Sequence, residues 1–298
     1  MEVFPFNTSD EAEAATFTTL IVVPCYNEAA RLPVAEFSTF AERQPDIRFV
    51  FVNDGSSDKT SELLRELVAS NPKKFEFVDL PRNGGKAEAI RQGVLHSLQH
   101  APSAIGFWDA DLSTPLDPII DFIRVLQRHK RVQLVIGSRL PLLGRRIQRK
   151  PIRRLLGRVF VTVASIALRL RIRDTQCGAK LFRVSPELAQ VYNDPFLAKW
   201  IFDVELIARY LQLRRQFSTA DADDFIYEQP LDSWEEIGSS RLKSQDFATA
   251  IIDLARIYLK YLRPGASWSA GDPRAGAAAA PNQHESSSDT SDSSRRVA

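Results

Sequence analysis

The sequence places two aspartates, Asp109 and Asp111, directly after a short apolar run at residues 104–108. That run is predicted to be a buried strand, so both carboxylates stand where a strand ends. Carboxylates at this spacing can converge on one hard cation, and their oxygens suit Mg²⁺ or Mn²⁺. Such a metal neutralises charge as a diphosphate leaves. Taken alone, however, the pair is better explained as turn residues before a helix that begins near Pro115.

Two earlier strand ends carry polar residues that could face the same crevice. They are residues 24–28, reading Pro-Cys-Tyr-Asn-Glu, and residues 53–56, reading Asn-Asp-Gly-Ser. Tyr26 could stack against a nucleotide base, and Asp54 could accept hydrogen bonds from a base or a ribose. Turn and helix-capping chemistry would account for the same residues. The sequence contains neither G-x-G-x-x-G nor G-x-x-x-x-G-K-[ST], which argues against a Rossmann dinucleotide site and a P-loop.

Strands and helices alternate in the first half of the chain. Apolar runs predict strands at 18–24, 47–52, 75–80, 104–108 and 132–137, with helices at 28–44, 58–70, 86–100 and 115–130. This alternation predicts an α/β fold with a mostly parallel central sheet and helices on both faces. Ligands of such sheets bind outside the carboxyl ends of the strands, where all three polar segments lie. Further helices are predicted at 153–170, 203–213 and 247–261.

The composition is that of a soluble globular protein, with 44% hydrophobic and 26% charged residues and a net charge of +2. We expect a flexible leader at 1–16, one α/β domain at 17–245, a C-terminal helix at 246–263 and a disordered tail at 264–298. The leader lacks the features of a secretory signal, so a cytoplasmic location is expected. The best candidate for a membrane span, 159–168, has ten uncharged residues, and a span requires about 20.

The cysteines and histidines, the residue types that bind softer metals, show no metal-binding pattern in the sequence. The two cysteines, Cys25 and Cys177, are predicted to be reduced and buried. The histidines show no ligand spacing with the cysteines or with one another, and are predicted to be surface or helix residues rather than a zinc site. They are His96, His100, His129 and His284.

The order and spacing of the polar segments together resemble family-2 glycosyltransferases of the GT-A fold. The matching pieces are residues 24–28, 53–56, 83–86, 109–111 and 137–139. Three later stretches, 173–182, 199–206 and 234–242, are similar to the polyprenyl-phosphate branch of that family. Within the branch, the sequence resembles dolichyl-phosphate β-glucosyltransferases more than the mannosyltransferases. The resemblance covers about 18–263 and implies a GT-A fold for the domain at 17–245.

The resemblance implies a set of residues that contact a nucleotide sugar. They are Pro24, Tyr26, Glu28, Val52, Asp54, Lys86, Asp109, Ala110, Asp111, Arg139 and Arg241. Asp109 and Asp111 would hold Mg²⁺ or Mn²⁺ as the cofactor. Arg139 would lie near the phosphates, and Arg241, at a position that is usually lysine, would clamp the diphosphate after a loop closes. These two carboxylates and two arginines are the expected catalytic residues.

The implied reaction is the inverting transfer of a sugar, glucose from UDP-glucose, to a polyprenyl or dolichyl phosphate. The expected partners are thus a nucleotide-diphosphate sugar donor and a polyprenyl phosphate acceptor. A phosphate acceptor is already an anion and needs no strong general base. The protein then has to position two anions and stabilise the leaving diphosphate with cations.

Three alternatives stay open. GDP-mannose could be the donor, although Glu235 stands where the mannosyl enzymes carry an arginine. The acceptor could be a soluble or glycan hydroxyl, for which Asp203 or Glu205 would serve as a base. Both residues can equally well be interpreted as structural acids that pair with basic neighbours. The chain could also be a non-catalytic nucleotide-sugar-binding adaptor, against which the acidic pair argues.

Residues 139–173 carry eleven Lys or Arg and no acid. One interpretation is a surface for anionic lipid headgroups and the acceptor phosphate, since each basic residue near an anionic bilayer contributes about 1 kcal/mol. The helix at 153–170 would then lie in the interface, and the protein would be peripheral on the cytoplasmic membrane face. A solvated face over a core helix is the alternative. Nucleic acid is not an expected partner, because no exposed aromatics alternate with the basic residues.

Overall fold

The computed structural model describes residues 17–148, 151–217, 225–237, 244–266 and 268. Its first half alternates strands and helices, as the sequence predicts. The elements are β1 (Thr19–Cys25), α1 (Val34–Arg43), β2 (Ile47–Asp54), α2 (Thr60–Ser70), β3 (Phe75–Leu80), α3 (Lys86–Leu98), β4 (Ala104–Trp108) and α4 (Pro118–Arg128).

The second half adds shorter strands and the longer helices. They are β5 (Leu134–Ser138), β6 (Arg146–Gln148), α5 (Pro151–Leu168), β7 (Ala179–Arg183), α6 (Pro186–Asn193), α7 (Phe202–Phe217), β8 (Ile226–Pro230), β9 (Ser233–Glu235) and α8 (Ser244–Ile257). A π-helical turn, Tyr258–Leu262, continues α8. The expected leader at 1–16 and most of the expected tail at 264–298 lie outside the described residues.

The main sheet has seven strands in the order β3-β2-β1-β4-β7-β5-β8. Strands β1, β2, β3 and β4 are parallel, and β8 is parallel to β5. Strand β7 runs antiparallel between β4 and β5. The prediction of a mostly parallel sheet is therefore confirmed, with one reversed strand next to the central β4.

Two hydrophobic clusters cover the two faces of this sheet. Because parallel strands are buried on both sides, neighbouring residues of one strand face opposite clusters. Val22 packs in the cluster with α3 and α5 to α8, whereas Ile21 packs in the cluster with α1, α2 and α4. Helices thus lie on both faces, as predicted. The carboxyl ends of the parallel strands meet at one edge, where ligands of such sheets bind, and this edge is called the crevice.

Helix α1 begins at Val34, six residues later than the sequence analysis expected. Residues 28–32 form a separate turn, in which the Leu32 N–H donates to the Glu28 carbonyl at 2.9 Å. Pro33 follows directly, and a proline disfavours the helical conformation of the residue before it. Glu28 therefore lies in the loop at the end of β1 rather than in a helix.

Helix α5 presents apolar side chains to solvent. Ile166 is 71% exposed and Val163 48% exposed, while Ala164 and Leu168 on the other face are buried in the core. Within the described parts of the chain, no helix has both the length and the apolar character that crossing a bilayer requires.

Candidate active site

The loops after β1 and β2 are joined into one junction. Asn27 has a left-handed backbone conformation, φ 54°, which asparagine adopts more readily than most residues. Its N–H donates to Ser56 Oγ at 3.0 Å, and its Oδ1 accepts from the Ser57 N–H at 2.9 Å. The two polar segments that the sequence singled out therefore form a single wall of the crevice, with Tyr26 half-buried beside Asn27.

Asp54 holds the glycine loop that precedes α3. Its buried carboxylate accepts from the Gly84 N–H at 2.7 Å and from the Gly85 N–H at 2.8 Å, one on each oxygen. Gly55 makes the close approach possible, since its φ is 61° and a Cβ there would overlap the backbone of Arg82 and residue 83. Asp54 thus fixes where α3 starts.

Lys86, the first residue of α3, forms an ion pair with Asp109. Its ammonium donates to Asp109 Oδ1, and both side chains are partly open to the crevice, 42% and 32% exposed. Burial disfavours the charged ammonium, but the carboxylates of Asp109 and Asp203 outweigh it and raise the pKa of Lys86. The crevice therefore holds a fixed positive charge against its acidic pair.

Gly178 lies against the Asp109 carboxylate. Because Trp108 pairs with Ala179 across β4 and β7, the residues beyond that pair meet at the strand ends. A Cβ on Gly178 would overlap both oxygens of Asp109. A glycine is therefore required at position 178 if Asp109 is to keep this position.

Asp111 lies on the same side of the crevice as Asp109. Its Oδ1 accepts from the Ser113 N–H at 3.0 Å, which fixes the turn after β4. Its charge contributes to the raised pKa of Lys86, behind Asp109 and Asp203. It also contributes to the raised pKa of Arg31, behind the hydrogen bond from that arginine to Glu28. The two aspartates therefore act on the same cation.

Arg139 is held rigidly at the end of β5. Its Nε and Nη2 both donate to the Asp174 carboxylate at 2.7 Å, and its backbone N–H donates there at 3.0 Å. Its guanidinium also lies 5.2 Å from the ring centre of Trp234. Burial disfavours the charge, but Asp174 outweighs it and raises the pKa of Arg139. The arginine is therefore a permanent cation, already paired on one side.

A buried ion pair lies behind the crevice. Lys180 of β7 is fully buried, and its Nζ donates to Asp203 Oδ1 at 2.5 Å and to the Cys177 carbonyl at 2.7 Å. Burial raises the pKa of Asp203, although Lys180 and Lys86 oppose the shift. Burial likewise raises the pKa of the Cys177 thiol to about 11, so that cysteine stays neutral near pH 7.

Glu205, two residues further along α7, is saturated with structural partners. Its Oε2 accepts from the N–H groups of Leu197 and Ala198 at 2.8 and 2.9 Å. Its Oε1 accepts from Arg209 Nη2 at 2.8 Å and from the Tyr261 hydroxyl at 2.9 Å. The side chain is fully buried, so these contacts tie α7 to the loop before it and to the π-helical turn that contains Tyr261.

Comparisons with known proteins identify the family of the chain. A family model described as "Glycosyl transferase family 2" matches residues 20–187, more than half of the chain. The chain belongs to glycosyltransferase family 2. It is therefore an enzyme of the glycosyltransferase class, and the non-catalytic adaptor is set aside.

Named relatives of this family-2 glycosyltransferase lie in the branch that the motifs indicated. The chain is 33% identical to the dolichyl-phosphate beta-glucosyltransferase ALG5C of Trichomonas vaginalis, over 85% of the chain and 74% of the relative. It is 30% identical to the dolichyl-phosphate beta-glucosyltransferase of Saccharomyces cerevisiae, over 81% of the chain and 74% of the relative. The resemblance stated from the motifs is confirmed.

Solved structures share the fold. Glucosyl-3-phosphoglycerate synthase of Mycobacterium tuberculosis, in complex with Mn²⁺, UDP and glucosyl-3-phosphoglycerate, superposes with a TM-score of 0.58. The two sequences are only 15% identical, and the match covers 85% of this chain and 82% of the other. The likeness confirms the GT-A architecture of the glycosyltransferase.

The remaining residues of the predicted site differ in what they can offer a ligand. Val52 and Ala110 are buried, so that their side chains belong to the core. Glu28 is also buried, and its Oε1 accepts from Arg31 Nη2 at 2.5 Å. Pro24 pairs with Val52 across β1 and β2 and is partly buried. Contacts of these residues with a nucleotide stay predictions.

Arg241, the expected phosphate clamp, lies outside the described residues. The sequence analysis missed Gly178, Lys180 and Asp174 as parts of the site, since it had matched 173–182 only by resemblance. Gly178 and Lys180 could be assigned to the site only once the pairing of β4 with β7 was known.

Proposed function

We propose that this glycosyltransferase moves glucose from UDP-glucose to a dolichyl or other polyprenyl phosphate, with inversion at the anomeric carbon. The relatives from T. vaginalis and S. cerevisiae are named for this sugar and this acceptor. One displacement by the acceptor phosphate would turn an α-linked donor into a β-linked product, in agreement with those names. The chain covers 74% of each of these relatives, so the proposal concerns their shared catalytic part.

The crevice supports binding of two anions. Lys86 and Arg139 are fixed cations at its walls, and neither loses its charge near neutral pH, because the pKa of each is raised. Preorganised charges of this kind stabilise a developing anion without having to rearrange. Lys86 would face the leaving diphosphate, and Arg139 either that group or the acceptor phosphate.

The carboxylates of the crevice fit a divalent cation. Asp109 and Asp111 both act on the one Lys86 ammonium, while Asp203 is paired with Lys180, so one negative charge is in excess there. Oxygen donors of this type suit Mg²⁺ or Mn²⁺. Asp109 and Asp111 would hold the metal, which would supply neutralisation of the leaving diphosphate when bound. The structural neighbour solved with Mn²⁺ and UDP makes Mn²⁺ the first ion to test.

The hydrogen-bond partners of Asp203 and Glu205, the two acids at the start of α7, indicate which acceptor the enzyme uses. Glu205 accepts hydrogen bonds from four groups, which occupy both of its carboxylate oxygens. Asp203 is bound by Lys180. An acceptor that needed deprotonation would depend on one of them, whereas a phosphate acceptor arrives as an anion. The arrangement therefore favours a phosphate.

Asp203 supports a second candidate function, which is transfer to a hydroxyl. Burial raises its pKa, and a carboxylate with a raised pKa is a stronger base than an ordinary aspartate. Its charge also acts on Lys86, so it lies close to the crevice. Under this alternative, Lys180 would release the carboxylate when the acceptor binds.

We also propose contact with an anionic bilayer through α5. Its exposed side chains Val163 and Ile166 are followed by the exposed Arg169 and Arg171. Apolar residues beside basic ones are typical of helices that lie in a membrane interface. A polyprenyl phosphate sits in such a membrane, and the segment leads directly to Asp174, the partner of Arg139.

The test offers UDP-glucose and GDP-mannose separately to the purified chain, with Mn²⁺ and a polyprenyl phosphate in detergent. We expect glucose, and not mannose, to move into the organic phase, and to do so only without excess chelator. The Asp111→Asn variant serves as the inactive control. Full transfer in chelator, or transfer from GDP-mannose alone, would overturn the proposal.

A further inference from the structure

A second cluster of metal-binding side chains lies far from the aspartates of the active site. Glu76 belongs to β3, the edge strand of the sheet, and His96 to the last turn of α3. His100 follows one helical turn later. The side chains are 16%, 33% and 34% exposed, so the cluster is half-buried but open to solvent.

Both histidines point the same nitrogen at the same oxygen. His96 Nε2 lies 2.6 Å and His100 Nε2 2.9 Å from Glu76 Oε2. The three possible ligand atoms all lie within 4.8 Å of one another, the only group of three of this kind among the described residues. His100 lies two residues beyond the end of α3, yet its ring centre is 5.4 Å from that of His96. The sequence analysis did not identify this four-residue spacing as a ligand spacing.

We propose that Glu76, His96 and His100 form a site for a borderline transition-metal ion of the Zn²⁺ class, with a water completing the shell. Two imidazole nitrogens and one carboxylate oxygen are a donor set that Zn²⁺ takes in proteins. Bonds of about 2.0–2.1 Å place tetrahedral ligands about 3.3 Å apart. The side chains would have to separate by a few tenths of an ångström to admit the ion.

Arg48 decides how strongly such an ion is held. Its Nη2 donates to Glu76 Oε1, the oxygen that faces away from the histidines. This contact orients the carboxylate, as outer partners of metal ligands commonly do. Its positive charge also opposes the metal, so we expect an affinity below that of a closed structural site. Arg48→Gln should then bind Zn²⁺ more tightly if charge is the larger effect.

The site is distinct from the one at Asp109. Helix α3 has 13 residues, about 20 Å at 1.5 Å per residue. Lys86 stands at its first residue and His96 in its last turn, so the helix separates the two sites. A metal bound at Glu76 would tie the end of α3 to the sheet edge. Its effect is therefore expected on stability rather than on sugar transfer.

The experiment titrates the metal-stripped full chain with Zn²⁺ by calorimetry, in excess Mg²⁺ to occupy the oxygen site. We expect one Zn²⁺ per chain, and a visible absorption band of low-symmetry Co²⁺ when Co²⁺ replaces it. His100→Gln should lose about 100-fold or more in affinity, because losing even an outer partner of a ligand costs about 10–100-fold. His129→Gln, at a histidine stacked on Tyr227, is the matched control.

A second readout guards against misfolded variants. Zn²⁺ should raise the melting temperature of the unaltered chain and of Asp111→Asn, but not of His100→Gln or Glu76→Gln. Each variant is compared with its own melting temperature in chelator, because Glu76→Gln also loses the contact with Arg48. The proposal is overturned if Zn²⁺ binds equally well to His100→Gln, if it binds only through Asp111, or if no binding is detected to a chain that is folded.

Discussion

Gly178 and Asp109 meet at adjacent strand ends so closely that no side-chain carbon fits between them. The contact arises from the antiparallel pairing of β7 with β4, which aligns Ala179 with Trp108. A residue of the second half of the chain thus determines where the first carboxylate of the acidic pair can lie. The position of the proposed metal and diphosphate depends on that glycine.

We expect Gly178→Ala to impair transfer far more than folding. The added methyl group must displace the Asp109 carboxylate, and a misplacement of about 1 Å costs roughly 100-fold in rate. Overpacking should cost about 1–3 kcal/mol of the free energy of unfolding. Steady-state kinetics and urea unfolding measure the two effects. Gly137→Ala is the control, since its Cβ would crowd Cys177 Sγ and Ala179 but not Asp109. Equal losses of kcat in both variants would argue against the contact.

Lys86→Met should separate donor binding from metal binding. The ammonium now pairs with Asp109, so its removal frees a carboxylate and should tighten Mn²⁺ binding. A contact between Lys86 and the donor diphosphate would be lost at the same time. Since charge-assisted hydrogen bonds contribute about 1.5–3 kcal/mol, kcat/KM for the donor should fall roughly tenfold or more.

Mn²⁺ titration by electron paramagnetic resonance and donor kinetics measure these two opposite changes. Lys130→Met, at an exposed lysine beyond α4, controls for the loss of one positive charge. Weaker Mn²⁺ binding in Lys86→Met would mean that the ammonium does not compete with the metal. Unchanged donor kinetics would remove it from the phosphate site.

The first half of the fold could be predicted because each strand and helix there carries its own local pattern. β3 and β4 have the predicted limits, and the strand ends lie at one edge, as the parallel arrangement requires. The reversed strand β7 could not be predicted. Residues 179–183 carry no turn signal that links them to β4, and their place between β4 and β5 is decided by long-range pairing.

The candidate site divides in the same way. Asp54, Asp109 and Asp111 were found because their types and strand-end positions are local features. The groups that bind them were not found, since Lys86 reaches Asp109 from the helix before β4 and the Gly84 amide reaches Asp54 across 30 residues. The pairing of Arg139 with Asp174 depends likewise on residues far apart in sequence.

Asp54→Asn should loosen the loop before α3. An asparagine offers one acceptor oxygen where Asp54 offers two, so the N–H of Gly84 or Gly85 would lose its partner. Gly84 and Gly85 are half-buried, so the unsatisfied amide should cost about 1 kcal/mol, the lower end of the range for buried groups, which urea unfolding would detect. The KM for the donor should rise as well, because Lys86 follows this loop. Asp46→Asn, at an exposed aspartate, is the control and should change neither quantity.

Glu205→Gln should destabilise the chain without slowing sugar transfer if the acceptor is a phosphate. Glu205→Gln removes the charge that faces the buried Arg209, and breaking a buried pair costs about 3–5 kcal/mol. The variant should melt well below the unaltered chain, yet its folded fraction should retain kcat. Thermal unfolding and active-site titration separate these effects.

Asp203→Asn decides between the two acceptor classes. Loss of a general base lowers kcat by about 100- to 10,000-fold, whereas loss of a residue that only binds Lys180 should lower it less than tenfold. The pH dependence adds an independent reading. The pKa of Asp203 is raised by burial, so a rate that depends on its ionised form must fall as the pH drops toward that pKa. If Asp203→Asn abolishes that acid limb together with the rate, the acceptor is a hydroxyl. If the limb and most of the rate survive, an acceptor that arrives already ionised accounts for both.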